Sequence, residues 1–124
     1  MVSSATDCDV LIIGAGISGI DAAYRVQEQC PELSYRIVEA RERIGGTWDL
    51  FRYPGVRSDS DFFTLAFPFH PWRGENSIVD GDEILDYLDE VLTTYGIDKH
   101  ISYLTRVVGA DWSGGDARWT VKTV

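Results

Sequence analysis

Positive charge is what this chain has least of: 11 Lys and Arg stand against 20 Asp and Glu, for a net charge of −9. So acidic a balance excludes general affinity for nucleic-acid backbones or anionic membrane surfaces, both of which need basic patches. Arg41, Arg43, Arg52, Arg57 and Arg73 nevertheless fall close together, which leaves room for a local basic, nucleotide-binding face. Cysteine is almost absent. Cys8 and Cys30 are too few for a disulfide framework, belong to no CxxC, and are expected to be ordinary buried or half-buried thiols in a reducing compartment. Histidine is equally sparse. His70 with Asp59 and Asp61 lacks metal-ligand spacing, and Pro68 and Pro71 interrupt it, so a structural histidine is expected and no metal. Ser58 and Ser60 lack the context of a nucleophile elbow. No apolar run is long enough to cross a bilayer, and Met1 to Asp7 carries no positive leader, so a cytoplasmic protein is expected. There is no internal repeat, no low-complexity tract and no second GxGxxG.

What is present is concentrated near the start. The apolar run Val10-Leu11-Ile12-Ile13 leads into Gly14-Ala15-Gly16-Ile17-Ser18-Gly19, and a second run, Tyr35-Arg36-Ile37-Val38, ends on Glu39, twenty residues past Gly19. Strand, glycine loop, helix, strand and acid in that order form the βαβ context of a dinucleotide fingerprint. Gly14 permits the tight turn out of the strand. Gly16 lets the backbone approach a pyrophosphate, and Gly19 lets the helix pack closely on the strand. The helix N-terminus offers free N–H groups and partial positive charge to phosphates. Glu39 is placed to accept hydrogen bonds from both ribose hydroxyls of an adenosine.

The coarse reading places a buried parallel strand over 9–14, a helix over 17–29 stopped by Pro31, and a second strand over 35–39. Residues 40–77 are irregular but rich in aromatics, which argues against disorder. An amphipathic helix is expected over 82–95, carrying Ile84, Leu85, Leu88, Val91, Leu92 and Tyr95 as one stripe. Asp80 or Asp82 is placed to cap its start, and Gly96 its end. Residues 107–112 and 117–124 read as a β-hairpin in which, if Trp112 opposes Ala117, Trp119 lies diagonally across.

The run after Glu39 adds a second signal. A glycine pair, Gly45-Gly46, shortly after the ribose acid suits a chain passing close to the second half of a large dinucleotide, with Trp48 as a flat apolar wall. The run Gly45-Gly46-Thr47-Trp48-Asp49-Leu50-Phe51-Arg52-Tyr53-Pro54-Gly55-Val56-Arg57-Ser58-Asp59-Ser60-Asp61 resembles the class B flavoprotein monooxygenases and, within them, the Baeyer–Villiger monooxygenases. Thr47 to Asp61 with Phe69-His70-Pro71-Trp72 looks closest to the ethionamide-activating subgroup.

The resemblance implies an α/β fold: a Rossmann-like FAD-binding βαβ unit with an appended helix and β-hairpin, incomplete at the C-terminus. It implies FAD on Gly14, Gly16, Ser18, Gly19 and Glu39. It adds flavin or pyrophosphate contacts from Thr47, Trp48, Asp49 and Leu50 and from Asp59. Arg57, Ser58 and Asp59 match a stretch near both flavin and nicotinamide, and Val107 a strand position whose backbone reads the adenine. Asp59 is the candidate catalytic group, orienting an arginine beside the flavin that this sequence does not contain. By the same resemblance, residues 1–124 are the first part of a discontinuous FAD-binding domain with the NADPH domain absent, and the fragment alone is expected to be inactive. The implied cycle is reduction of FAD by NADPH, addition of O2 as a C4a-peroxyflavin, and attack on a small-molecule ketone or sulfide. A non-catalytic dinucleotide-binding module and another FAD-dependent oxidoreductase remain the alternatives.

Overall fold

The computed structural model describes residues 7–124; the leader-free N-terminus read from the sequence lies, but for Asp7, outside them. Strand β1 (Val10–Ile13) runs into helix α1 (Ile17–Gln29), and β2 (Tyr35–Val38) returns parallel to β1. Two one-turn helices follow, α2 (Thr47–Leu50) and α3 (Phe62–Leu65), and then the long helix α4 (Gly81–Tyr95). A short strand, β3 (Ile101–Ser102), pairs parallel with β2, so the sheet order is β1-β2-β3. An antiparallel ribbon of β4 (Val107–Ser113) and β5 (Arg118–Thr123) completes the described chain.

The core forms where α1 and α4 cover the sheet. Ile20, Ile37, Ile84, Leu88, Val91 and Ile97 are all fully buried there. The aromatics of the irregular segment extend it: Phe62 packs edge-on against Trp72 and Tyr87, while Phe69 stacks on Tyr24 and Phe67. Rings in these offset and edge arrangements add to plain area burial, which is how a segment with little regular structure stays ordered.

Three expectations need correction. β1 is only half-buried, and Ile13 is 63% exposed, because β2 pairs with one of its edges and no strand pairs with the other among the described residues. Trp112 faces Trp119 directly rather than diagonally, with ring centroids 5.5 Å apart, because the turn takes in Ala117 at positive φ and pairs Ser113 with Arg118. Asp80 stands at the N-cap of α4 without a side-chain capping bond, and the Asp82 carboxylate turns instead to Arg52, 3.1 Å away. Gly96 does end α4 in the left-handed conformation, at φ 67°.

The irregular stretch after β2 is fastened by one carboxylate. Asp49, on α2, is 2% exposed and accepts hydrogen bonds from Arg41 (2.8 Å), Arg43 (2.9 Å) and Arg52 (2.7 Å). Burial pushes its pKa up, but the hydrogen bonds from Arg52, Arg43 and Arg41 outweigh that and hold it at about 2, against an ordinary 3.8. The folded value lies below the unfolded one. The cluster's contribution to stability is therefore fully present above about pH 4 and is lost as pH falls towards 2. Urea midpoints measured down this range should fall more steeply for the native chain than for Asp49→Asn; parallel slopes would show that the arginines do not bias this carboxylate.

Gly19 sets the distance between α1 and the loop that precedes it. A Cβ there would lie 2.0 Å from the Gly14 carbonyl oxygen, a backbone atom that cannot swing aside. Gly19→Ala should lower stability by ~1–3 kcal/mol, the usual range for overpacking. Gly109→Ala, whose Cβ would meet nothing within 4 Å, serves as the control. Equal unfolding midpoints for the two variants would contradict this packing.

Candidate dinucleotide site

The C-terminal ends of β1 and β2 lie side by side, because Gly14 donates its N–H to the Val38 carbonyl at 2.8 Å. Gly14 turns the chain away there at φ 105°, a conformation side chains rarely adopt. Gly16 then stands at the N-cap of helix α1. No side chain caps it and no acid lies in its first turn. Its first internal bond runs from the Ile20 N–H to the Gly16 carbonyl, so the N–H groups of Ile17, Ser18 and Gly19 are left for another acceptor. That end of the helix carries uncompensated positive potential.

Glu39 closes the other side. Its carboxylate is buried, at 7% exposure, yet both oxygens are fixed by main-chain donors: Oε1 accepts from the Ala15 N–H and Oε2 from the Arg41 N–H, each at 2.9 Å. Each carboxylate oxygen has two lone-pair sites, so one remains on each. An acid held in this way can accept two further hydrogen bonds at a fixed spacing, which is what a vicinal diol presents.

Gly16 leaves the main chain of the loop open. Its backbone, at φ −80° and ψ −173°, suits any residue. An added Cβ would make only ordinary contact, 3.7 Å from Gly46 Cα. No protein neighbour fills the space a side chain would take here, so the main chain is open to a ligand drawn close to it. The neighbouring pair does have internal reasons. Gly45 sits at φ 113°, and a Cβ on it would lie 2.4 Å from Leu85 Cδ2. Gly46 has φ 53° and ψ −119° and packs directly against Gly16. The Gly45 N–H also donates to the Ala15 carbonyl at 3.0 Å. Glycine loop, acid and glycine pair thus form one connected surface.

The remaining sequence-predicted residues divide. Ser18 is exposed on the first turn of α1, Thr47 and Leu50 are exposed on α2, and Trp48 is half-buried against the core. Asp49 shares α2, but its carboxylate is occupied by arginines, so any cofactor contact from it would have to be made by its main chain. Arg41, Arg43 and Arg52 are spent on the same carboxylate, and their further partners Glu42 and Asp82 are acidic too, so the basic face that their clustering suggested is neutralised.

Ser58 is 2% exposed and accepts a hydrogen bond from the Val79 N–H at 3.1 Å, which pins the loop to the start of α4. Arg57 and Asp59 are exposed on either side of it. Among the described residues they form no ion pair with each other, and no hydrogen bond joins them to the glycine loop. With Tyr53, Gly55 and Ile78 they line an open depression of about 560 Å³. Val107 opens β4 opposite Thr123. His70 is engaged by Tyr95 and Glu90, at 3.1 and 2.7 Å, and Cys8 and Cys30 are half-buried free thiols. Reading the sequence missed the Ala15 and Arg41 N–H groups that orient Glu39, since a main-chain donor leaves no trace in residue type.

Among the described residues no helix is long and apolar enough to cross a membrane. Residues 12–91 match the family of NAD(P)-binding Rossmann-like domains. Over 113 residues, 91% of this chain, the sequence is 57% identical to the FAD-containing monooxygenase EthA of Mycobacterium tuberculosis strain H37Rv, and that stretch is 23% of the relative's length. The fold matches that of a steroid monooxygenase bound to NADP with a TM-score of 0.87 at 34% identity, over 95% of this chain and 23% of that one. It matches OTEMO in complex with FAD and NADP with a TM-score of 0.84 at 28% identity, over 97% of this chain and 23% of that one. The chain thus spans about a quarter of the length of the proteins it matches. By fold, by fingerprint and by these likenesses, the chain belongs to the NAD(P)-binding Rossmann-like family, as the counterpart of the N-terminal segment of the FAD-containing monooxygenases.

Proposed function

We propose that this chain is the first segment of a discontinuous FAD-binding domain, residues 1–124, in an NADPH- and O2-dependent flavin monooxygenase. The observation that supports it best is Glu39, a buried acid with two lone pairs to spare, set beside the glycine loop and the uncapped start of α1. The adenosine ribose of FAD would lie on Glu39, with its pyrophosphate over Gly14, Gly16, Ser18 and Gly19 and along the open N-terminus of α1. The stretch Thr47–Leu50 would flank the second half of the dinucleotide, chiefly through main chain and the Trp48 ring. Val107 would reach the adenine through its backbone. Arg57, Ser58 and Asp59 would border the flavin and nicotinamide, with the Ser58 hydroxyl serving the loop rather than the ligand.

Bound FAD supplies the redox chemistry, passing electrons from NADPH to O2 so that one oxygen atom enters a small-molecule ketone or sulfide. This chain's residues bind and orient. The α1 N-terminus offsets pyrophosphate charge, Glu39 sets the position of the adenosine, and the Gly45–Gly46 turn leaves room at the main chain. Asp59, exposed and without an ion-pair partner among the described residues, would be placed to orient a cationic group brought in by another part of the protein. The NADPH domain and the rest of the FAD domain would lie outside these residues, and the protein would work in the cytoplasm without nucleic-acid partners. The 124 residues alone would bind FAD weakly and not turn over.

Flavin fluorescence quenching tests the reading. The native chain should bind FAD. Glu39→Gln, which replaces one acceptor oxygen with a donor, should weaken binding about tenfold, the value of a hydrogen bond to a charged group. Gly16→Ala should keep its circular dichroism spectrum and lose binding. Undiminished affinity in both variants would reject the site. Binding of NAD but not FAD by the native chain would favour the non-catalytic module.

A further inference from the structure

Arginines near the end of the second strand of a dinucleotide fold are the groups that accept a 2′-phosphate on the adenosine ribose, whereas an acid there reads the free 2′-hydroxyl. This chain carries both. Arg41 and Arg43 follow Glu39 by two and four residues, and Arg52 reaches the same region. Residue types alone would leave the preference between the two riboses open, because a carboxylate beside two or three free guanidinium groups could be overridden by them. The three guanidinium groups are not free. All three converge on the carboxylate of Asp49, and no other acid here collects more than one of them.

We infer that Asp49 is a specificity-determining residue: by holding the Arg41, Arg43 and Arg52 guanidinium groups it denies them to a 2′-phosphate and leaves the ribose to be read by Glu39 alone. The inference rests on the dinucleotide reading of the site. Arg41 is the decisive partner. Its N–H holds Glu39 Oε2 while its Nη2 is drawn to Asp49 Oδ2, so a single residue links the reading acid to the holding acid. Its Nε is buried without a partner, so it is shielded from ligand and solvent alike. The Arg41 side chain keeps 38% of its surface, but with Nε covered and Nη2 held it cannot offer those two donors together as the side-on fork that gives arginine much of its phosphate affinity. Asp49 does this from α2 and does not need to touch the ligand.

The experiment compares ADP-ribose with its 2′-phosphate, titrated by ligand-observed NMR against the native chain, Asp49→Asn and Asp49→Asn/Arg41→Gln. The native chain should prefer ADP-ribose by at least about tenfold, since a charged oxygen would face Glu39 with no free cation beside it. Asp49→Asn keeps the side-chain volume and removes the charge that collects the arginines. It should gain affinity for the 2′-phosphate and narrow the preference at least about fivefold, and adding Arg41→Gln should restore it. A merely structural Asp49 would weaken both ligands together, so an unchanged ratio in folded Asp49→Asn overturns the inference. Should that variant fail to fold, Arg41→Gln in the native background decides. An arginine already occupied leaves the ratio where it was, and a tenfold loss of 2′-phosphate affinity would show that it had been free. A native chain that binds neither nucleotide removes the dinucleotide reading, and this inference with it; a native chain that binds both equally removes this inference alone.

Discussion

The buried carboxylate of Glu39 is the group on which the rest of the arrangement depends. It sits where β2 ends, and its two oxygens take N–H groups from the glycine loop after β1 and from the chain after β2. Its own main chain continues the sheet, with its N–H donating to Ser102 and its carbonyl accepting from Thr105. One residue therefore joins three connections that would otherwise be free to move past one another. The arrangement holds a negative charge out of water, which is tolerable only because donors replace the lost hydration. Those donors belong to the backbone, so they order the acid without consuming its capacity to bind.

Asp49 offers the contrast. It is as buried as Glu39, but its partners are three charged side chains and its oxygens have little left to give. Replacing three flexible, solvated arginine heads by one shared anchor costs side-chain entropy, and the low pKa reports that the electrostatic gain exceeds the desolvation. Two acids ten residues apart thus do opposite work. One is satisfied from the backbone and keeps a lone pair on each oxygen, while the other has three of its four lone-pair sites taken by arginines. The charge balance follows the same logic, since the arginines that a chain of net charge −9 gathers near its glycine loop are neutralised on the spot.

Much of the fold could be read from residue order because its signals are local. Helix α1 runs from residue 17 to 29 as its flanking glycine and proline suggest, and α4 starts one residue before the expected residue 82 and stops at a left-handed glycine. β3 escaped notice because two residues cannot display a period, and its existence depends on β2 being beside it. The Trp112–Trp119 pairing went wrong for a related reason. Hairpin register turns on which residue accepts a positive φ, and here Ala117 does so, a choice residue preference argues against.

The site was legible to the same depth and no further. Spacing picked out Gly14, Gly19 and Glu39, for which the structure gives local reasons: a positive φ, a Cβ that would meet the Gly14 carbonyl, and two main-chain donors to one carboxylate. Ser58 and Asp49 looked like ligand contacts because they stand in a run whose resemblance is specific, yet their polar atoms turn inward, to Val79 and to the arginines. Motif matching identifies that a position is constrained, and it does not say by what. Whether a polar atom is still available is settled by its neighbours in space, which for Asp49 lie eight and six residues before it and three after. A run can therefore be kept together by the demands of its own loop while only a few of its members keep polar atoms free for a ligand. Gly16 is the opposite case, a position whose neighbours in space impose nothing and whose main chain is left open beside the spare lone pairs of Glu39.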